Sequence, residues 1–181
     1  MERYAAVLIP IFADEPHDIV FIERAAHLRR HAGEIGFPGG AVDAADAGDH
    51  RHAALREVHE EIGIPPERIT VVAELDPVRQ HTAGFVVSTY VGVVDPAYDG
   101  FIVDANEVAA THRVPLAAVV APGAVRRGVE AVGERHIQTF LFDHGALHVW
   151  GLTGQILNGF VQRYQAEPSA LRSALDERLV R

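Results

Sequence analysis

Apolar and branched residues run nearly unbroken through YAAVLIPIF (4 to 12), DIVFI (18 to 22), ITVVAEL (69 to 75) and GFVVSTYVGVV (84 to 94), with Pro, Asp or Gly between them. Such runs predict β-strands separated by turns. A second period appears in HRHAALREVHEEI, where Ala54, Leu55, Val58 and Ile62 recur three and four positions apart. This spacing predicts an amphipathic helix from about His50 to Ile62, stopped by Gly63 and kept from continuing by Pro65 and Pro66. Leu152, Ile156, Leu157, Phe160, Val161 and Tyr164 predict another helix, and a last one runs from about Pro168 to Leu179. The mixture implies a sheet with helices packed on its faces.

The polar positions of the first helix raise a question of charge. Glu57, Glu60 and Glu61 fall within one third of the circumference at roughly 100° per residue. Like charges three or four apart weaken a helix, and negative charge near its C-terminus opposes the macrodipole. A solvated surface face is the plain alternative, but Arg56 supplies only one guanidinium against three carboxylates. A hard divalent cation would offset them, since Mg2+ and Mn2+ take oxygen ligands from a few carboxylates and keep several waters.

Between the second strand and this helix, residues 23 to 50 hold few apolar runs, which marks a functional loop or a poorly ordered one. Arg24, His27, Arg29, Arg30 and His31 gather there in a chain of formal net charge −9. They are the local positive charge that an anionic substrate needs, with role-free surface arginines as the alternative. Gly39 and Gly40 follow and permit close approach of the main chain to a metal or phosphate.

A length of 181 residues suits one domain, 1–181. The acidic balance argues against general nucleic-acid binding, which relies on a broad basic surface. Without cysteine there is no disulfide, thiolate nucleophile, zinc finger or iron-sulfur cluster. No apolar run is long enough to span a bilayer, and residues 4 to 13 read as a strand rather than a signal peptide, so a cytoplasmic protein without a membrane partner is expected. No P-loop, dinucleotide fingerprint, HExxH or GxSxG occurs, which leaves a water nucleophile activated by metal and carboxylate. His50 and His52 read as loop or helix-start residues, since the nearby carboxylates favour harder cations.

The segment from Gly39 to Ile64 resembles the Nudix box, Gx5Ex7REUxEExGU. Arg56, Glu57, Val58, Glu60, Glu61, Gly63 and Ile64 match its second half at every specified position. Asp46 stands where Glu is usual, with nine residues rather than seven before Arg56. Upstream, VFIERAAHLRRHAGEIGFPGG resembles the additional signature of coenzyme A pyrophosphatases in that superfamily, with Arg24, Ala25, Arg29, Gly33, Phe37, Pro38, Gly39 and Gly40 in register and Ile22 in place of threonine. WGLTGQIL (150 to 157) resembles the WGxT stretch of the same group.

The resemblance implies a three-layer α/β/α sandwich around a central mixed β-sheet, a requirement for Mg2+ or Mn2+, and hydrolysis of the pyrophosphate of coenzyme A or its derivatives to 3',5'-ADP and 4'-phosphopantetheine. Glu57 and Glu61 are expected as principal metal ligands, joined by Glu60 and the Gly40 carbonyl, with Arg56 orienting a carboxylate. Glu107 is a candidate distal ligand or base, with an exposed loop glutamate as the alternative. Arg24, Arg29, Gly33, Phe37, Pro38 and Gly39 are expected on the substrate side. A nucleotide sugar, NTP, ADP-ribose, NADH or dinucleoside polyphosphate is the alternative substrate, and a Nudix-shaped binding module without hydrolysis the alternative class. Oligomeric state is left open.

Overall fold

The computed structural model describes residues 3–80, 84–96, 98 and 101–179. Its centre is strand β1 (Arg3–Phe12), whose last five residues are all buried. A strand covered on both faces needs a continuous apolar run rather than alternation, and this is what its sequence supplies. Strand β2 (Asp18–Arg24) and two short strands, β3 (Ile35–Gly36) and β4 (Gly39–Ala41), come next, the last two inside the expected loop. Strands β5 (Ile69–Gln80), β6 (Phe85–Val94) and β7 (Val108–Pro115) complete the seven-stranded sheet.

Its order is β3-β2-β1-β6-β5, with β4 also on β1 and β7 also on β2. The β1/β6 pair is parallel, from Arg3 opposite Phe85 to Phe12 opposite Val94, while β5/β6 and β2/β7 are antiparallel. The sheet is therefore mixed.

Helix α1 (His50–Ile62) covers one face, packing Ala53, Ala54, Val58 and Ile62 against Ala6, Leu8, Val20 and Ile22. Helix α2 (Leu116–Val119) is one turn; α3 (Gly151–Gln165) and α4 (Ala170–Leu179) cover the other face, where Ile156, Leu157, Phe160, Leu171 and Leu175 meet Ile9, Phe21, Val87 and Val91. The three layers are those of the expected sandwich.

The sequence reading contained no element between residues 101 and 149, where the structure has β7, α2 and a second sheet of β8 (Val125–Val132), β9 (Arg135–His144) and β10 (Leu147–Val149). Five of the eight residues of β8 are exposed, so polar side chains interrupt the apolar run that marks a buried strand. Three further expectations shift. Strand β5 continues past Leu75 to Gln80 through register breaks that accommodate Pro77, α4 begins at Ala170 rather than Pro168, and β3 and β4 give the 23–50 segment regular pairing. No helix among the described residues is long and apolar enough to cross a membrane.

Candidate active site

Helix α1 is fixed at both ends, which sets the direction of every carboxylate along it. The Asp49 side chain accepts from the His52 amide at 3.0 Å, capping the N-terminus. At the other end Gly63 takes a left-handed φ of 75° and donates its N–H to the His59 carbonyl at 3.0 Å. A Cβ there would sit 2.7 Å from that of Ile102, so glycine is required by space as well as by φ.

The three glutamates do not share one solvated face. Glu60 is 56 % exposed, Glu57 only 14 %, and Glu61 just 2 %. Glu61 turns with Val58 and Ile62 toward the sheet, where its Oε2 accepts from the Gly39 N–H at 2.9 Å. Its Oε1 is buried without a hydrogen-bond partner, the Arg24 guanidinium standing 4.0 Å away. Burial, with the negative charge of Glu57 and Glu107 adding to it, pushes the Glu61 carboxyl up to about 8 against the opposing pull of the Gly39 N–H and Arg24. Burial also raises Glu57, and Arg56 opposes the shift.

Gly40 explains how Glu57 fits beside the sheet: a Cβ there would lie 2.4 Å from Glu57 Oε1, in the space that the carboxylate itself fills. At Gly39 a Cβ would meet the Ala6 carbonyl oxygen at 2.4 Å, because β4 lies directly on β1. The glycine pair thus lets one strand touch both β1 and the helix carboxylates.

Arg56 is the hub of the acidic network. Its Nη1 donates to Glu57 at 2.9 Å and Glu60 at 2.7 Å, and its Nε and Nη2 form a two-pronged pair with Asp46 at 3.1 and 3.0 Å. One guanidinium therefore contacts more acids than its single charge suggested, though not Glu61. Asp46, whose side chain is fully buried, also accepts from the Asp43 amide at 2.9 Å and pairs with the His52 ring at 2.9 Å. Arg56 chiefly holds its carboxyl well below the usual carboxylate range, and the pairing holds the Arg56 guanidinium firmly charged. In the turn after Asp46, Ala47 and Gly48 have φ of 51° and 81°, and the Asp46 carboxylate reaches the arginine.

The donor set suits a hard cation. Glu57 and Glu61 offer anionic oxygens one turn apart, and Glu61 Oε1 is a buried acceptor lacking a donor. Among the described residues no three acidic or histidine side chains already converge at ligand distance, and Arg56 bonds both Glu57 and Glu60. Glu107 is exposed, yet close enough that its charge raises both Glu57 and Glu61. Its main chain joins the site to the β2 end through an Ala25 N–H bond to its carbonyl at 2.9 Å.

A cleft of about 370 Å³ opens beside β4. Arg24, Phe37, Gly39 and Gly40 line it, whereas Arg29, Gly33 and Pro38 do not. Arg29 is exposed on the 25–33 turn, and Gly33 closes that turn by donating to the Arg24 carbonyl at 3.0 Å. Pro38 accepts from the Leu8 amide at 3.0 Å, and Phe37, 6 % exposed, stacks on Phe21 with centroids 4.8 Å apart. The sequence reading gave no site role to Glu34, Gln80, Phe85, Val87, Trp150 or Thr153, which also line the cleft. The signal for Trp150 and Thr153 was the WGLT stretch; Phe85 and Val87 are legible only once β6 is known to face α3.

The NUDIX domain family model matches residues 1–132. The chain belongs to the Nudix family. It is 38 % identical over 168 residues, covering 92 % of this chain and 85 % of the relative, to the protein named "Uncharacterized Nudix hydrolase NudL" in Salmonella paratyphi B, and equally to that of Salmonella newport. In fold it is similar to a MutT/nudix family protein from Enterococcus faecalis (TM-score 0.55, 16 % identity, 95 % of this chain and 67 % of that one). The Nudix hydrolase RenU of M. smegmatis is a second such neighbour (TM-score 0.51, 22 % identity, 61 % and 69 %). Nudix enzymes generally use divalent ions such as Mg2+ or Mn2+.

Proposed function

We propose that this Nudix hydrolase works as one domain that cleaves the diphosphate of coenzyme A or its derivatives, releasing 3',5'-ADP and 4'-phosphopantetheine or its acyl form. The observation that carries the reading is the approach of Arg24 to Glu61 at 4.0 Å, because it joins the arginine of the coenzyme A-type signature to a carboxylate of the Nudix box. Two residues 37 positions apart in sequence thereby face one substrate.

Glu57 and Glu61 would hold Mg2+ or Mn2+, with Glu60 released from Arg56 to join them and the Gly40 carbonyl beside Glu57. Such a cation neutralises phosphate charge and makes water a better nucleophile near neutral pH. The chain's own groups do the positioning. The Gly39 N–H fixes one oxygen of Glu61 and leaves the other without a hydrogen bond, 4.0 Å from the Arg24 guanidinium. Arg56, held by Asp46, keeps Glu57 in place. Arg24 contributes positive charge where negative charge grows on the departing phosphate. Glu107, near both ligands, is the base that takes the proton of the attacking water. Arg29, on the exposed turn, reaches the substrate's outer phosphate.

The test is a comparison of kcat/KM for coenzyme A, ADP-ribose, NADH and diadenosine polyphosphates with Mg2+ and with Mn2+. The reading expects coenzyme A or an acyl derivative to lead by at least an order of magnitude. A lead for ADP-ribose or NADH would replace the substrate while leaving the chemistry in place.

A further inference from the structure

Part of the cleft wall is the start of α3, where Trp150, Gly151, Leu152 and Thr153 stand in the lining. Its place depends on the turn that leads from β10 into the helix. That turn is poorly able to hold itself. Trp150 is extended, with φ of −151°, and Gly151 then reverses the chain with a left-handed φ of 62°. Glycine takes this angle without strain but populates the opposite sign about as readily. Trp150, at the N-cap position, makes no side-chain bond to the helix start. The Gly154 N–H bond to the Trp150 carbonyl, at 3.1 Å, comes only after the turn.

The hold comes from the second sheet. Thr139, on its central strand β9 and only 7 % exposed, accepts from the Gly151 N–H through Oγ1 at 2.9 Å. The Phe140 carbonyl oxygen next to it lies so near α3 that a Cβ on Gly154 would collide with it. Strand β9 thus takes the helix by its first turn, at Gly151 through a hydrogen bond and at Gly154 through contact. Strand β10 enters the turn from a fixed position as well. His148 pairs through Nδ1 with Asp143 of β9 at 2.6 Å and through Nε2 with Glu130 of β8 at 2.9 Å.

Resting on the coenzyme A reading, we propose that Thr139 is a positioning residue: its hydroxyl sets Gly151, and through it the Trp150–Thr153 wall against which the substrate binds. Thr139 does not line the cleft and acts only through Gly151. Removing the hydroxyl leaves a backbone N–H without its partner and lets the glycine turn relax. The Arg56 contacts to Glu57 and the Gly39 bond to Glu61 lie on other elements and stay in place. The loss therefore falls on substrate binding, which raises KM and spares kcat.

The test compares Thr139→Val, which keeps the branched shape and removes the hydroxyl, with Thr139→Ser, which keeps the hydroxyl. Kinetics with coenzyme A and Mg2+ are measured for both, together with the emission of Trp150, the chain's single tryptophan. Thr139→Val should raise KM roughly fivefold or more with kcat within about twofold of wild type. Its Trp150 emission, without substrate, should move to longer wavelength as the loosened wall takes up water. Thr139→Ser should restore both KM and emission. A wild-type KM or emission in Thr139→Val, a kcat that falls as far as KM rises, failure of that variant to fold, or a Ser variant that behaves like Val overturns the proposal. Should the wild type hydrolyse ADP-ribose and not coenzyme A, the coenzyme A reading falls, while the same comparison on ADP-ribose and the substrate-free emission still decide the role of Thr139.

Discussion

Glu61 is a carboxylate kept almost out of water with one hydrogen bond, and its raised pKa is the consequence. The folded, metal-free protein holds that proton more tightly than the unfolded chain does. Between the ordinary glutamate value and about 8 the folded state therefore binds more protons, so its stability declines as pH rises through that window. A cation on Glu61 removes the penalty. Thermal melts of chelated protein should show Tm falling from pH 5 to 8, Mg2+ should restore more Tm at pH 8 than at pH 5, and Glu61→Gln should flatten both trends. A melt insensitive to pH in this range would show that Glu61 is not the strained group. Activity should likewise rise into the alkaline range, because the ligand must lose its proton before it binds metal.

Asp46 has the opposite sign. Its depressed pKa adds stability that is complete above the ordinary aspartate value and is lost as pH falls below it. Asp46→Asn removes the two-pronged partner of an Arg56 guanidinium that still holds Glu57 and Glu60, and should cost about 1.5 to 3 kcal/mol in chemical denaturation. A change under about 1 kcal/mol, the scale of an exposed pair, would place the contact at the solvated surface instead.

At the scale of elements, the account depends on β4 touching α1. Gly40→Ala should fold, because the added methyl meets the movable end of Glu57 rather than main chain. It should nonetheless weaken Mg2+ binding by an order of magnitude or more, read by calorimetry. Gly39→Ala should lose stability outright, since its methyl meets the Ala6 carbonyl and Val7 main chain. If both variants bound metal as the wild type does, the glycine pair would have no part in shaping the site.

The same elements show what the sequence could convey. Helix α1 was legible to the residue, because its apolar period and its Gly63 stop are local signals. That Glu61 belongs to the buried side was not, since three carboxylates in sequence look alike until β4 supplies an amide for one of them. Strands β8 to β10 escaped notice because they are half exposed and carry side-chain ion contacts, such as Arg126 and His148 on Asp143, both at 2.6 Å, where a buried strand has a long apolar run. Phe37 and Pro38 read as substrate residues from their motif alone; the structure stacks Phe37 on Phe21 beside the cleft and bonds Pro38 to β1, contacts that the motif does not convey.

For the whole molecule, the Nudix box and the upstream signature were legible as motifs, but the contact of Arg24 and Gly39 with Glu61 is a property of the sheet. It brings the ends of β2, β4 and α1 together and sets α3 opposite. Charge-assisted contacts from Arg24 should therefore matter to catalysis rather than to folding. Arg24→Ala should lower kcat/KM by about one to two orders of magnitude, the cost of roughly 1.5 to 3 kcal/mol for a bond to phosphate. An unchanged kcat/KM in a folded variant would return Arg24 to the role of a surface charge.

The most direct measurement of the central claim is the identity of the products formed from coenzyme A by the wild-type enzyme, separated and weighed by mass spectrometry, with Mg2+, after EDTA and after Mg2+ is restored. The account predicts 3',5'-ADP and 4'-phosphopantetheine in equal amounts, abolished by EDTA and recovered with the metal. Dephospho-coenzyme A as product, untouched coenzyme A, or turnover that persists in excess EDTA would contradict it.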